Sequence, residues 1–205
     1  MSESAKPDQP EHYFSAQPTV ENSERAVEFT IAGRNYQLVT SSGVFSGSRL
    51  DPGTAVLLKR ISPPDKAGTF LDLGCGYGPI SAILATRDDA EVWAVDVNER
   101  ALDLTRRNTA HLPGRVHVRQ AEEVPDGIEF DEIWSNPPIK IGKGALHSML
   151  LQWLPRLKTD GCAWLVVSKH LGADSLATWL ESQGFDSEKY ASAKGYRILR
   201  VTHQV

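Results

Sequence analysis

Cysteine is nearly absent: only Cys75 and Cys162 occur, far apart and in apolar or glycine-rich surroundings. Such a pair makes neither a disulfide framework nor a zinc spacing, and it suits a reducing, cytoplasmic location. Long apolar runs are missing as well. No stretch approaches the roughly 20 residues that cross a bilayer, and the polar start from Met1 to Glu11 lacks the positive-then-apolar plan of a secretory signal. Positive charge is in deficit, with 22 Lys and Arg against 26 Asp and Glu and a net charge of -4. That excludes a surface coated in basic residues. The deficit is uneven, however. From Asn136 onward nine Lys and Arg face five Asp and Glu, which permits an anionic partner there. Internal repeats are absent, and so is the G-x-x-x-x-G-K-[ST] loop that a kinase of that type needs. What remains is 205 residues, 40% hydrophobic and 23% charged, enough for one domain with a sizeable core.

The pattern along the chain divides it. Residues 1–24 read as a polar tail, partly disordered, and residues 25–205 as a single domain: a hairpin and loop extension over 25–52, then a core over 53–205. "VEFTIAGRNYQLVT" alternates about a turn at Ala32-Gly33-Arg34-Asn35, the signature of an antiparallel hairpin. A short helix is expected from Thr54 to Arg60. From Thr69 onward strands and helices alternate: "TFLDL", a helix opened by Pro79, "EVWAVDV", a helix capped by Asn98, "RVHVRQ", "FDEIWS", an amphipathic helix over Gly144 to Leu154, and "CAWLVVS". A last helix and two final strands follow. This order implies an α/β fold: a mostly parallel, Rossmann-like seven-stranded sheet with helices on both faces and an antiparallel edge hairpin. Ligands of such sheets lie beyond the carboxyl ends of the strands, so the chemistry is expected after Leu73, Val95, Arg119 and Trp134.

The unusual residues cluster at those four places. "LDLGCGYGPIS" puts Gly74, Gly76 and Gly78 between a strand and a helix, where glycine allows positive φ and close approach of a ligand. The dinucleotide fingerprint G-x-G-x-x-G would need a glycine at Pro79, so the spacing suits a ligand without a pyrophosphate. Asp96, followed by Val97, ends the next strand, and its carboxylate can accept both hydroxyls of a ribose; the alternative is an acidic cap for the following helix. Ala121 and Glu122 stand where an adenine edge would be met, although Glu122 reads equally well as surface charge. Asp72 adds a carboxylate suited to an ammonium. Adenosine without pyrophosphate beside that acid describes S-adenosyl-L-methionine, whose sulfonium needs no metal to activate its methyl.

"SNPPIKIGKG" ends the fourth strand with an amide and two prolines. Prolines belong at a strand's end, because they cannot donate to the ladder, and as a bare tripeptide Asn136-Pro137-Pro138 reads as a loop. After the fourth strand of an adenosine-binding sheet it reads as catalytic. The Asn136 amide oxygen and the Pro137 carbonyl can accept the two N–H bonds of a conjugated amino group and aim its lone pair, while Pro138 stiffens the frame. Ile139, Lys140 and Lys143 follow as candidate substrate contacts.

"LDLGCGYGPIS", "VDVNERAL" and "SNPPI" together resemble class I S-adenosylmethionine-dependent methyltransferases of the N-P-P group. "SGVFSGSRLDPGT", "NPPIKIGKG" and "KGYRIL" make the chain resemble the RsmC-type, small-domain 16S ribosomal RNA guanine-N2 methyltransferases from about His12 to Val201. The resemblance implies methyl transfer to guanine N2, with rRNA or the small subunit as partner, the glycines and Asp96 as cofactor residues and Asn136 to Pro138 as catalytic ones. Ile139 departs from the aromatic often found there, and a longer enzyme's extra N-terminal domain has no room in this chain. Recognition is then expected to rest on the hairpin, "HYFS" and basic residues such as Lys140, Lys143, Lys169 and Arg197. Competing readings are a protein glutamine methyltransferase, whose N-P-P-Y pattern Ile139 does not match, a non-catalytic RNA-binding protein, and a nicotinamide oxidoreductase, which Pro79 disfavours.

Overall fold

The structure, a computed structural model, describes residues 23–44, 49–138 and 141–204. Ile139, Lys140 and the segment His12 to Ser15 lie outside the described residues. The chain opens with the expected hairpin, β1 (Glu24–Ile31) and β2 (Arg34–Ser41), paired antiparallel from Glu24↔Ser41 to Ile31↔Arg34. Its two-residue turn has positive φ at both Ala32 (50°) and Gly33 (76°), the mirror-image turn whose twist matches that of the strands. Phe29 and Tyr36 stack across it at 5.3 Å.

The hairpin is fastened to the core by polar side chains. Asn108 accepts from Val39 N (2.8 Å) and donates to Val39 O and Tyr77 O (2.7 and 2.8 Å), and Asn98 Nδ2 donates to Gly43 O (3.0 Å). Asn108 thus pairs an otherwise open edge of β2.

The core sheet has the order β5-β4-β3-β6-β7-β9-β8. Five strands are parallel: β3 (Gly68–Leu73), β4 (Ala90–Val95), β5 (Arg115–Arg119), β6 (Phe130–Ser135) and β7 (Leu157–Ser168). The last two, β8 (Phe185–Ala193) and β9 (Tyr196–His203), run antiparallel along one edge. Strand alternation sorts the core. Phe70, Val92 and Val166 pack with α1 (Pro52–Arg60) and α2 (Pro79–Leu84), and Ala94 and Val118 meet Leu102 of α3 (Glu99–Thr109) on that same face. Leu71, Val95 and Leu165 pack with α4 (Lys143–Trp153) and α5 (Ala173–Ser182) on the other. Among the described residues no helix is long and apolar enough to cross a membrane.

Several boundaries differ from the sequence reading: β7 begins at Leu157, five residues before Cys162, and β4 ends at Val95, two before Val97. α1 begins at Pro52, two residues before Thr54, because Asp51 caps it: Asp51 Oδ1 accepts from Gly53 N (2.7 Å) and Thr54 N (3.0 Å). Proline at the first helical position costs no hydrogen bond.

Candidate active site

The parallel strands bring four loops to one edge of the sheet, in the spatial order of residue 121, residue 96, residue 74 and residue 136. The topological switch falls between β4 and β6, on either side of β3, so the glycine loop stands at the centre.

That loop is folded onto β4 by its own backbone. Gly74 N and Cys75 N both donate to Val95 O (2.8 and 3.0 Å), and Gly76 N donates to Asp96 Oδ2 (2.9 Å). The three glycines have φ of 77°, 58° and 86°, but they differ in what surrounds them. A Cβ on Gly74 or Gly76 would meet nothing within 4 Å, whereas one on Gly78 would come within 2.9 Å of Thr105 Oγ1. Gly78 is therefore a packing glycine against α3, and the first two border open space of the kind a ligand fills.

Asp96 is half-buried at the end of β4, with Oδ1 on Asn98 N (2.9 Å). Burial pushes its carboxyl above the ordinary value, opposed by the N–H bonds from Asn98, Gly76 and Val97. It does not cap α3 with its side chain. Asn98 does, accepting from Arg100 N and Ala101 N, so the bland alternative for Asp96 loses its ground. Beyond its three N–H bonds the Asp96 carboxylate keeps one acceptor position. Beside it Val97 is 54% exposed, an apolar side chain left uncovered next to a carboxylate. Ala121 is half-buried against the core and Glu122 exposed, on the short 3-10 turn Ala121–Glu123.

Asp72 is fully buried beneath the loop, pointing to the α2 face. Its Oδ2 accepts from Ser81 N (2.9 Å) and Ser81 Oγ (2.6 Å), while Oδ1 has no partner among the described residues. Burial raises this carboxyl to about 7, Ser81 opposes the rise, and the charge of Asp96 adds to it. A buried acceptor without a donor is costly, and a ligand ammonium would relieve it. The cysteines take no part. Both are free and buried, and burial pushes the Cys75 thiol well up and that of Cys162 to about 11.

Asn136 stands at the end of β6, next to the glycine loop because β6 pairs with β3 up to Leu73↔Ser135. Ser135, fully buried, holds that junction by donating to Leu73 O at 2.7 Å. The Asn136 amide is fixed from an unexpected side. Its Nδ2 donates to Asp51 Oδ1 (2.6 Å) and Thr54 Oγ1 (3.1 Å), 85 and 82 residues earlier. Its Oδ1 takes no hydrogen bond from any described residue. Pro138 O accepts from Ile141 N (3.1 Å). Lys143 begins α4 and is exposed, as is Lys169 beyond β7, whereas Arg197 is tied to Asp174 of α5. The sequence reading missed Asp51 and Thr54. The signal was present as Asp-Pro-Gly-Thr, a helix-start pattern, yet nothing local to it points to Asn136.

An open parallel sheet with an orphaned acid under a glycine loop, a second acid on the neighbouring strand and Asn-Pro-Pro on the other side defines a class I methyltransferase. The comparisons with known proteins agree. Residues 35–200 match the methyltransferase small domain model, and the chain belongs to that family in its RsmC-type branch. Its cofactor is S-adenosyl-L-methionine. The chain is 33% identical to the uncharacterized protein YbxB of Bacillus subtilis, over 93% of this chain and 98% of that one. It is 32% identical to ribosomal RNA small subunit methyltransferase C of Pseudomonas entomophila, over 94% of this chain and 58% of that one. The chain thus spans little more than half the length of that enzyme. The solved T. thermophilus 16S rRNA N2 methyltransferase RsmC, in complex with AdoMet and guanosine, shares the fold with a TM-score of 0.74 at 24% identity, covering 92% of this chain and 52% of that one.

Proposed function

We propose that this protein methylates the exocyclic N2 of a guanine in 16S rRNA, acting on the RNA or the small ribosomal subunit. The observation that carries the reading is the Asn136 amide: its NH2 end is bound by Asp51 and Thr54, and its oxygen, at the strand end beside the glycine loop, takes no hydrogen bond from a described residue. Asp72, Gly74, Gly76, Asp96, Val97, Ala121 and Glu122 are assigned to the cofactor. Asp72 Oδ1 would meet its ammonium, the Asp96 carboxylate its ribose hydroxyls, and Val97 its adenine face, with Ala121 and Glu122 at the adenine edge. Gly78 serves indirectly, by letting α3 pack close.

When bound, the cofactor supplies a methyl group on a positively charged sulfur. The protein's task is then positional, because the nitrogen of a guanine NH2 is flat and its lone pair is delocalised into the ring. Asn136 Oδ1 and the Pro137 carbonyl would each accept one N–H, which fixes the NH2 group and aims its lone pair, already perpendicular to the ring, while favouring a pyramidal nitrogen. Held in this way the nitrogen would face the methyl that the bound cofactor would supply, and its surplus N–H proton would be left to solvent, because neither the Asn136 amide nor the Pro137 carbonyl is a base. Positioning of this kind is worth on the order of 7–11 kcal/mol of barrier. Pro137 and Pro138 offer no competing N–H. Lys143 is assigned to the RNA, together with Ile139 and Lys140 beyond the described residues.

The names of the curated relatives support ribosomal RNA over a side-chain amide, and the choice of N2 follows the solved T. thermophilus 16S rRNA N2 methyltransferase. The test supplies methyl-labelled cofactor to small-subunit RNA and subunits from cells lacking the protein. Label in N2-methylguanosine is expected. Label confined to protein would replace this reading with glutamine methylation.

A further inference from the structure

Asp51 has a second role that its helix-capping position does not require. We infer that Asp51, seconded by Thr54, is the positioning residue that sets the polarity of the Asn136 amide, and this inference rests on the reading of Asn136 given above.

A side-chain amide is nearly symmetric in shape, so a half-turn about its last bond exchanges an acceptor for a donor with no change in packing. For a residue that must accept an N–H from the substrate, the flipped form is inactive: it would oppose one donor to another. Nothing in Asn136 itself selects between the two. Asp51 Oδ1 does, since it lies 2.6 Å from Asn136 Nδ2 and can only accept. Thr54 Oγ1 takes the second bond at 3.1 Å. Both N–H bonds of the amide are thereby spent on α1, and Oδ1 is turned to the opposite side, where no described residue donates to it. A carboxylate on the NH2 end also draws electron density onto the carbonyl oxygen, since hydrogen bonds in series polarise one another, so Asn136 becomes the stronger acceptor.

The anchor is itself anchored. The same Asp51 oxygen takes Gly53 N and Thr54 N at the start of α1. Tyr196, at the start of β9, packs against that turn so closely that a Cβ on Gly53 would come within 2.9 Å of its ring. The orientation of one amide at the end of β6 is therefore held by the N-terminus of α1 and by β9, elements that flank the cofactor loops without belonging to them.

The test separates capping from positioning. Serine is a good N-cap but too short to reach Asn136 as well, so Asp51→Ser keeps α1 and frees the amide. We expect kcat to fall by about 10²-fold, with KM for RNA and Kd for S-adenosylmethionine changed by less than about twofold. The Asn136 side-chain NH2 resonances in a nitrogen-15 spectrum, assigned by their loss in Asn136→Ala, should shift toward those of a free amide. In the Asn136→Ala background Asp51→Ser should cost nothing further, as expected for residues that act through one bond. Unshifted NH2 resonances, an undiminished kcat, or equal losses in both backgrounds would overturn the inference. Should Asp51→Ser fail to fold, Asp51→Asn keeps the cap but replaces the carboxylate by an amide that accepts at one end only and without charge; the Asn136 NH2 resonances should shift there too, and unshifted resonances overturn the inference. The spectrum needs no substrate, so failure of Asp51 shows there, whereas failure of the RNA assignment shows as absent methyl label with the wild-type protein.

Discussion

The two sides of the glycine loop are built on different principles. On the cofactor side the fastenings reach no further than the next strand and helix: Gly74 and Cys75 on Val95 O, Gly76 N on Asp96, Gly76 O on Thr105 and Tyr77 O on Asn108 of α3, and Asp72 on Ser81 nine residues later. On the acceptor side Asn136 is held by Asp51 and Thr54, 85 and 82 residues away. Nearby fastening makes a cofactor site out of one stretch of chain, from β3 to α3. Distant fastening makes the reacting geometry depend on α1 being docked. The two sides should therefore fail separately.

The largest effect tests that separation directly. Asn136→Ala should lower kcat on the order of 10²–10³-fold, the range for removing one hydrogen-bonding group that serves the transition state, while calorimetry finds cofactor affinity nearly unchanged. A joint loss would mean that the two sides are one unit. Next comes the reverse lesion. Gly76→Val puts a branched side chain into the open space above the loop, at a φ of 58°, and should weaken cofactor binding by about 10–100-fold with a strain of about 1–2 kcal/mol. Gly78→Ala sharpens the contrast, because its Cβ meets Thr105 instead of open space. It should lower the melting temperature by about 2–8 °C for a cost of about 1–2 kcal/mol, and leave affinity comparatively intact.

The same division explains what could be read from the sequence. The sheet, its antiparallel edge and the hairpin were legible because each rests on local signals: alternation in "VEFTI" and "YQLVT", apolar runs such as "EVWAV", Pro79 and Asn98 at helix starts. The glycine loop and Asp96 were legible for the same reason. Asp51 was not, since a carboxylate before Pro-Gly-Thr announces a helix cap and its other donor arrives only when β6 and α1 meet. Asp72 was read as an acid near the loop, but its full burial, bond to Ser81 and lone Oδ1 are products of packing with α2. The unequal roles of three glycines with the same spacing also depend on α3.

The smallest effect is a pH dependence confined to one side. Asp72 titrates at about 7 because burial disfavours its charge. If its free Oδ1 receives the cofactor ammonium, binding needs the ionised acid, and below pH 7 a proton must first be lost. Affinity should thus fall by about tenfold between pH 8 and pH 6, since one pH unit below the pKa corresponds to about 1.4 kcal/mol. On the alkaline side it should fall again above about pH 8, where an α-amino group loses its charge. Asp96 is also shifted upward by burial, but it faces ribose hydroxyls in this reading and not the ammonium. Asp72→Asn should therefore flatten the acid limb while lowering the plateau affinity, and an acid limb that persists in that variant would assign the titration to Asp96. Asn136 carries no titratable group, so the methyl-transfer step, measured with cofactor saturating, should be level from pH 6 to pH 7.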